Sequence, residues 1–118
     1  MKNYKLAREA LANDCHLVGN YVGPIGSART CAIGRLAIMS GVTREELRPL
    51  NNIPIISRRM IAVRNAIASK FGLNMIELSL IQEANDCYAD KLDSSITERQ
   101  KDVLKVLDNI HQHHENKS

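Results

Sequence analysis

The stretch Thr30-Cys31-Ala32-Ile33-Gly34-Arg35-Leu36-Ala37-Ile38-Met39-Ser40-Gly41-Val42-Thr43 decides the fold. Apolar side chains recur through it at helical spacing, which predicts a helix from about Cys31 to Ser40. Gly41 then supplies a left-handed stop. Thr43-Arg44-Glu45-Glu46 is a capping box: the Thr43 hydroxyl accepts from a free helix amide, and Glu46 reaches back to the Thr43 amide. The helix it opens must end near Pro49, which cannot continue a hydrogen-bonded helix interior.

The same periodicity extends in both directions. Residues 3–13 form a first helix with Tyr4, Ala7 and Leu11 on one stripe and Leu6 and Ala10 beside it. Three glycines and Pro24 between residues 18 and 27 predict a loop with room for a small hairpin. Beyond Pro49, Ile53-Pro54-Ile55-Ile56 reads as an extended linker. Ser57 caps a helix through Phe71 with Met60, Val63, Ile67 and Phe71 inward, ended by Gly72. Residues 74–86 form a helix with Ile76, Leu80 and Ala84 on one line and Leu78 and Ile81 alongside. Asp90 to Ser95 is a loop, and Thr97-Glu98-Arg99-Gln100 is a second capping box. It opens a last helix with Val103, Leu104, Leu107 and Ile110 as its buried stripe. The fold class is therefore all-α. One domain, residues 1–118, is expected: a compact bundle of five or six helices with an irregular glycine-rich loop near residues 18–29. The tail 112–118 reads as a frayed end, with its histidines placed favourably against the helix dipole.

At 118 residues the chain supports a single modest core. No apolar run reaches bilayer length, and no secretory signal pattern is visible, so a cytoplasmic protein with no membrane partner is expected. Cys15, Cys31 and Cys87 are too few and too scattered for a disulfide framework. No zinc spacing accompanies them, so no metal and no cofactor are expected; His111, His113 and His114 offer at most loose metal contact.

Charge is uneven. Residues 29–70 carry eight basic and two acidic side chains, net +6, whereas residues 71–118 carry five basic and nine acidic, net −4. A basic middle suits an anionic ligand, nucleic acid or an acidic protein. Equally, the two halves pair with each other or with a second copy of the chain. The candidate binding residues are Arg35, Arg44, Arg48, Arg58, Arg59 and Arg64.

Residues 33–50 also have helix-turn-helix spacing. Ala37 lets two helices approach, Gly41 makes the turn, and Val42, Leu47 and Leu50 bury between them. Arg44 and Arg48 would then face DNA. Pro49 limits that second helix to about two turns. A third reading is catalytic. Cys31 at a helix start beside Arg29 would have a lowered thiol pKa, with His16 as base and Asn85-Asp86 as orienting pair. Against this, a lone Cys among Thr, Ala and Ile commonly serves as a small buried hydrophobe.

Two segments taken together, Cys31-Ala32-Ile33-Gly34-Arg35-Leu36 and Ile81-Gln82-Glu83-Ala84-Asn85-Asp86, resemble a family of small bacterial and bacteriophage proteins of unknown function. Members carry a Cys-Ala-Ile/Leu-Gly-Ala-Leu segment, a later Asn-Asp pair and a final amphipathic helix. This chain has Arg35 where the family has Ala, and it has no Trp. The resemblance implies a compact fold and no activity. It marks Cys31, Gly34, Asn85 and Asp86, with Asn85 and Asp86 expected to cap or bridge the loop at Asp90–Ser95. The reading that combines these features is a phage-encoded accessory protein that binds a protein or anionic ligand, with a homo-oligomer open to it.

Overall fold

The computed structural model describes residues 1–12, 22, 30–52, 58–86 and 96–117. The glycine-rich loop, the Ile53–Ile56 linker, Ser57 and the Asp90–Ser95 loop otherwise lie outside those residues. Six α-helices follow in order: α1 (Tyr4–Leu11), α2 (Ala32–Met39), α3 (Arg44–Leu47), α4 (Arg58–Phe71), α5 (Met75–Asp86) and α6 (Ile96–Lys117). A 3-10 turn, Arg48–Asn52, continues α3. The all-α expectation holds.

Helix α2 is the centre of the bundle. Ala32, Ile33, Leu36 and Ala37 are buried, and α1, α4 and α5 pack around it. Small residues on α1 and α2, Ala7, Ala10, Ala32 and Ala37, let the backbones approach. Phe71, Ile67, Leu78, Ile81, Val103 and Leu107 complete the same core. Burying a side chain of this size stabilises the fold by about 1.5–3 kcal/mol.

The local stops behave as their chemistry requires. Gly41 follows α2 with φ +97°, a conformation that L side chains rarely adopt. The Thr43 box forms in full: Glu46 N–H donates to Thr43 Oγ1 at 3.2 Å, and Thr43 N–H donates to Glu46 Oε1 at 3.2 Å. The α-helix it opens ends at Leu47, earlier than expected, and tightens into the 3-10 turn through Pro49. There Asn51 binds Val22 on both backbone groups. Its Nδ2 donates to the Val22 carbonyl at 3.0 Å, and its Oδ1 accepts from the Val22 N–H at 3.4 Å. Val22 also makes an isolated antiparallel bridge to Thr30. Together these contacts tie the chain just before α2 to the turn after α3.

The N-terminal segment closes the far end of α4. Lys2 N–H donates to the Phe71 carbonyl at 2.7 Å, and Asn3 Nδ2 donates to the Lys70 carbonyl at 2.8 Å. These are carbonyls that the end of a helix leaves unpaired.

Three expectations change. First, α5 turns a different face inward: Leu78, Ile81, Glu77 and Asn85 are buried, while Ile76 and Leu80 are 74% and 45% exposed. Polar residues win the inward positions because each finds hydrogen-bond partners there, described below. Second, α6 begins at Ile96, so Thr97 is its second residue and not its cap; helix ends shift by a residue or two with the hydrogen-bond pattern. Third, the tail is not frayed. Helix α6 runs to Lys117, because His111 stacks on Tyr4 with ring centres 3.8 Å apart and His114 bonds to Glu77.

Candidate functional site

Three places in the molecule gather polar or reactive groups. The first is the corner between the start of α2 and the end of α5. Cys31 is the N-cap of α2, and its Sγ accepts from the Gly34 N–H at 3.2 Å. Asn85, buried, accepts on Oδ1 from the Ala32 N–H at 3.1 Å and donates from Nδ2 to Asp86 Oδ1 at 3.0 Å. Two of the amides that α2 leaves free are thus satisfied by side chains, one local and one from 53 residues away. Cys31, Gly34, Asn85 and Asp86 therefore do meet. However, Asn85 reaches across the bundle to Ala32 and not to its own following loop, because a buried helix start has donors that need an acceptor.

This corner opposes thiolate chemistry. Burial pushes the Cys31 thiol up to about 12, and the nearby Asp86 charge pushes the same way. The amide hydrogen bonds at the helix start pull it down, but by less than desolvation raises it. The expected low-pKa cysteine is overturned: Cys31 is a protonated cap inside the core. Its expected base, His16, and the neighbouring Arg29 lie outside the described residues.

The second place is the arginine surface. Arg58 and Arg59 are exposed in the first turn of α4, and Arg35, Arg44 and Arg48 are half-buried around α2 and α3. Arg64 is used otherwise: its Nη2 donates to Gln82 Oε1 at 2.6 Å and holds α4 to α5. Among the described residues, no ion pair joins Arg35, Arg48, Arg58 or Arg59 to an acid. The ion pairs of the acidic half lie elsewhere: Asp108 with Arg8 at 3.2 Å, Glu77 with His114 at 2.6 Å and Glu115 with His111 at 3.6 Å. Tyr4 O–H also donates to Asp108, which raises its pKa.

The third place was missed by sequence reasoning. A groove of about 490 Å³ runs between α5 and α6, lined by Ile76, Leu80, Val106 and Ile110, with Glu77 and His114 at one end. Glu77 is only 7% exposed. Its Oε1 accepts from the Asn74 N–H at 2.9 Å, and its own N–H donates to Asn74 Oδ1 at 2.8 Å, a reciprocal cap at the start of α5. Oε2 meets His114 Nε2. The signal was present in the spacing Asn74-x-x-Glu77, which is that of a capping box. What spacing could not show was that His114, 37 residues on, would meet the same carboxylate.

Among the described residues no three His, Cys, Asp or Glu side chains gather as a metal site, and no helix is long and apolar enough to cross a membrane. The fold and these surfaces define the molecule as a helical bundle with a closed polar corner, a basic face and an open apolar groove. No protein-family model, curated protein or solved structure matches the chain.

Proposed function

We propose that this protein is a binding module, not an enzyme, and that it works through the arginine face led by Arg58 and Arg59 together with Arg35, Arg44 and Arg48. Its partner is an acidic protein surface or another anionic ligand. The observation that carries this reading is the position of the exposed pair. Arg58 and Arg59 stand in the first turn of α4, which contains no acidic residue. A helix start is already electropositive, so two cations there cost stability, by about 0.3–1 kcal/mol each. A bound anion would gain from both the guanidinium groups and the helix dipole.

The corner at Cys31 and Asn85 supports the same conclusion from the other side, since its groups are used in holding α2 and α5 together. The helix-turn-helix spacing of residues 33–50 makes a packed corner, with Leu47 and Leu50 buried. Its second α-helix has four residues, too short to lie along a DNA groove. Resemblance to the small bacterial and phage proteins, and a phage origin with it, belongs to this proposal on the strength of the Cys31 and Asn85 segments alone.

Retention on immobilised heparin at low salt tests the face. Wild type should elute well after the Arg58→Glu/Arg59→Glu variant, and the separation should shrink as salt rises. Equal elution of the two proteins removes the proposal. Parallel mobility-shift titration with duplex DNA reads whether nucleic acid is among the anions bound.

A further inference from the structure

The α5–α6 groove and the outer face of α4 are both left unused by the fold, and they match. We infer that the arginine face of one copy docks into the α5–α6 groove of a second copy. This rests on the reading of Arg58 and Arg59 as a binding surface, and it names their partner.

The α4 face is Arg58, Ile61, Ala62, Asn65 and Ser69, all exposed. These positions recur at three and four residues and lie opposite the buried stripe of Met60, Val63, Ile67 and Phe71. Ile61, 45% exposed, stands among small side chains, so a partner can approach the helix backbone closely. This is the form of a helix that lies in a groove, with one apolar anchor and a basic end.

The groove offers the complement. Ile76 and Leu80 line one wall and Val106 and Ile110 the other. Glu83 is exposed one turn beyond Leu80 on α5, and residues 71–118 carry net −4. An apolar trough with an acidic rim thus faces an apolar anchor with a basic rim. The line Ile76, Leu80 and Ala84, apolar and helically spaced, has no role in the core. Contact with a second copy accounts for it.

The two faces cannot meet within one chain. Gln82 of α5 faces α4 through Arg64, whereas Leu80, two residues earlier, is turned roughly 200° around the helix axis toward the groove. Faces on opposite sides of a molecule join copies head to tail, so the contact is heterologous and mass should grow with concentration.

Sedimentation equilibrium of the full chain tests this with two variants. Leu80→Glu closes the groove, and Arg58→Glu/Arg59→Glu reverses the docking face; urea unfolding confirms that each is folded. Wild type should exceed monomer mass increasingly with concentration, and each variant should remain monomeric. An equal mixture of the two should form a heterodimer and nothing larger, because one intact groove and one intact arginine face survive between them. Wild type that stays monomeric up to millimolar concentration overturns the inference. So does an oligomer that either variant leaves intact, or a mixture that stays monomeric. A monomeric wild type that still needs Arg58 and Arg59 to bind heparin would leave the arginine face standing and remove only the self-contact.

Discussion

Helix α5 has two sides, and they obey opposite rules. Toward α2 it buries a polar residue, Asn85, at 1% exposure; toward the groove it leaves Ile76 at 74%. The first is possible because the start of α2 presents a free amide at Ala32 that Asn85 alone reaches. Burying an amide costs several kcal/mol without a partner and little with one. The second follows from the position of α6. It approaches α5 close enough to cover Leu78 and Ile81, and its own Val106 and His113 stop short of covering Ile76. Polarity alone does not decide burial. The partners available at each point do.

The sharpest way to break this comparison is to remove Asn85. Asn85→Ala should lower the unfolding free energy by about 3 kcal/mol, because a buried helix amide loses its acceptor and Asp86 loses a donor. Urea denaturation measures it. A loss no greater than that of a surface substitution would mean that the corner is not a structural joint. Next, Glu77→Ala should cost about 1.5 kcal/mol through the lost cap on Asn74. His114→Ala combined with it should then cost less than the sum, which a double-mutant cycle reads directly.

The buried corner also has a pH signature. Cys31 titrates near 9 when exposed and near 12 when folded, so the unfolded chain gives up its proton first. Stability from this group is therefore complete below about pH 8 and falls above pH 9 by about 1.4 kcal/mol per pH unit. Cys31→Ser should abolish that alkaline slope, since a hydroxyl does not titrate there. In the native protein Cys31 should also resist a thiol reagent that labels it at once in urea.

Smaller effects sharpen the other side. Arg58→Glu/Arg59→Glu should raise stability by about 1 kcal/mol, because two acids suit the first turn of α4 better than two arginines. A variant that is more stable and yet fails to bind would separate function from folding. Leu80→Ser should change monomer stability by less than about 0.5 kcal/mol, as expected of a surface position. A larger loss would place the groove wall in the core after all.

Much of the fold was legible in local chemistry. Gly41, the Thr43–Glu46 box and the stripe Met60, Val63, Ile67 and Phe71 act within one or two helical turns, and the spacing of their residues carries the information. The candidate site was legible only in part. Cys31 and Asn85 were marked, but their meeting, and the direction of the Cys31 pKa, depend on the depth of the corner. A helix start and a nearby arginine argue for a thiolate when the sulfur is wet; in a dry corner desolvation outweighs them. Arg64 could not be told from Arg58 by type or spacing, since what distinguishes them is Gln82 on another helix.

Helix α5 shows the division most clearly. Its sequence holds two apolar lines, Ile76-Leu80-Ala84 and Leu78-Ile81, either of which satisfies helical periodicity. The sequence by itself determined that this segment is a helix, because backbone hydrogen bonding and side-chain spacing are local. Only the tertiary structure decided which line faces inward. That choice depends on the amide of Ala32 and the imidazole of His114, which are brought to α5 from distant parts of the chain.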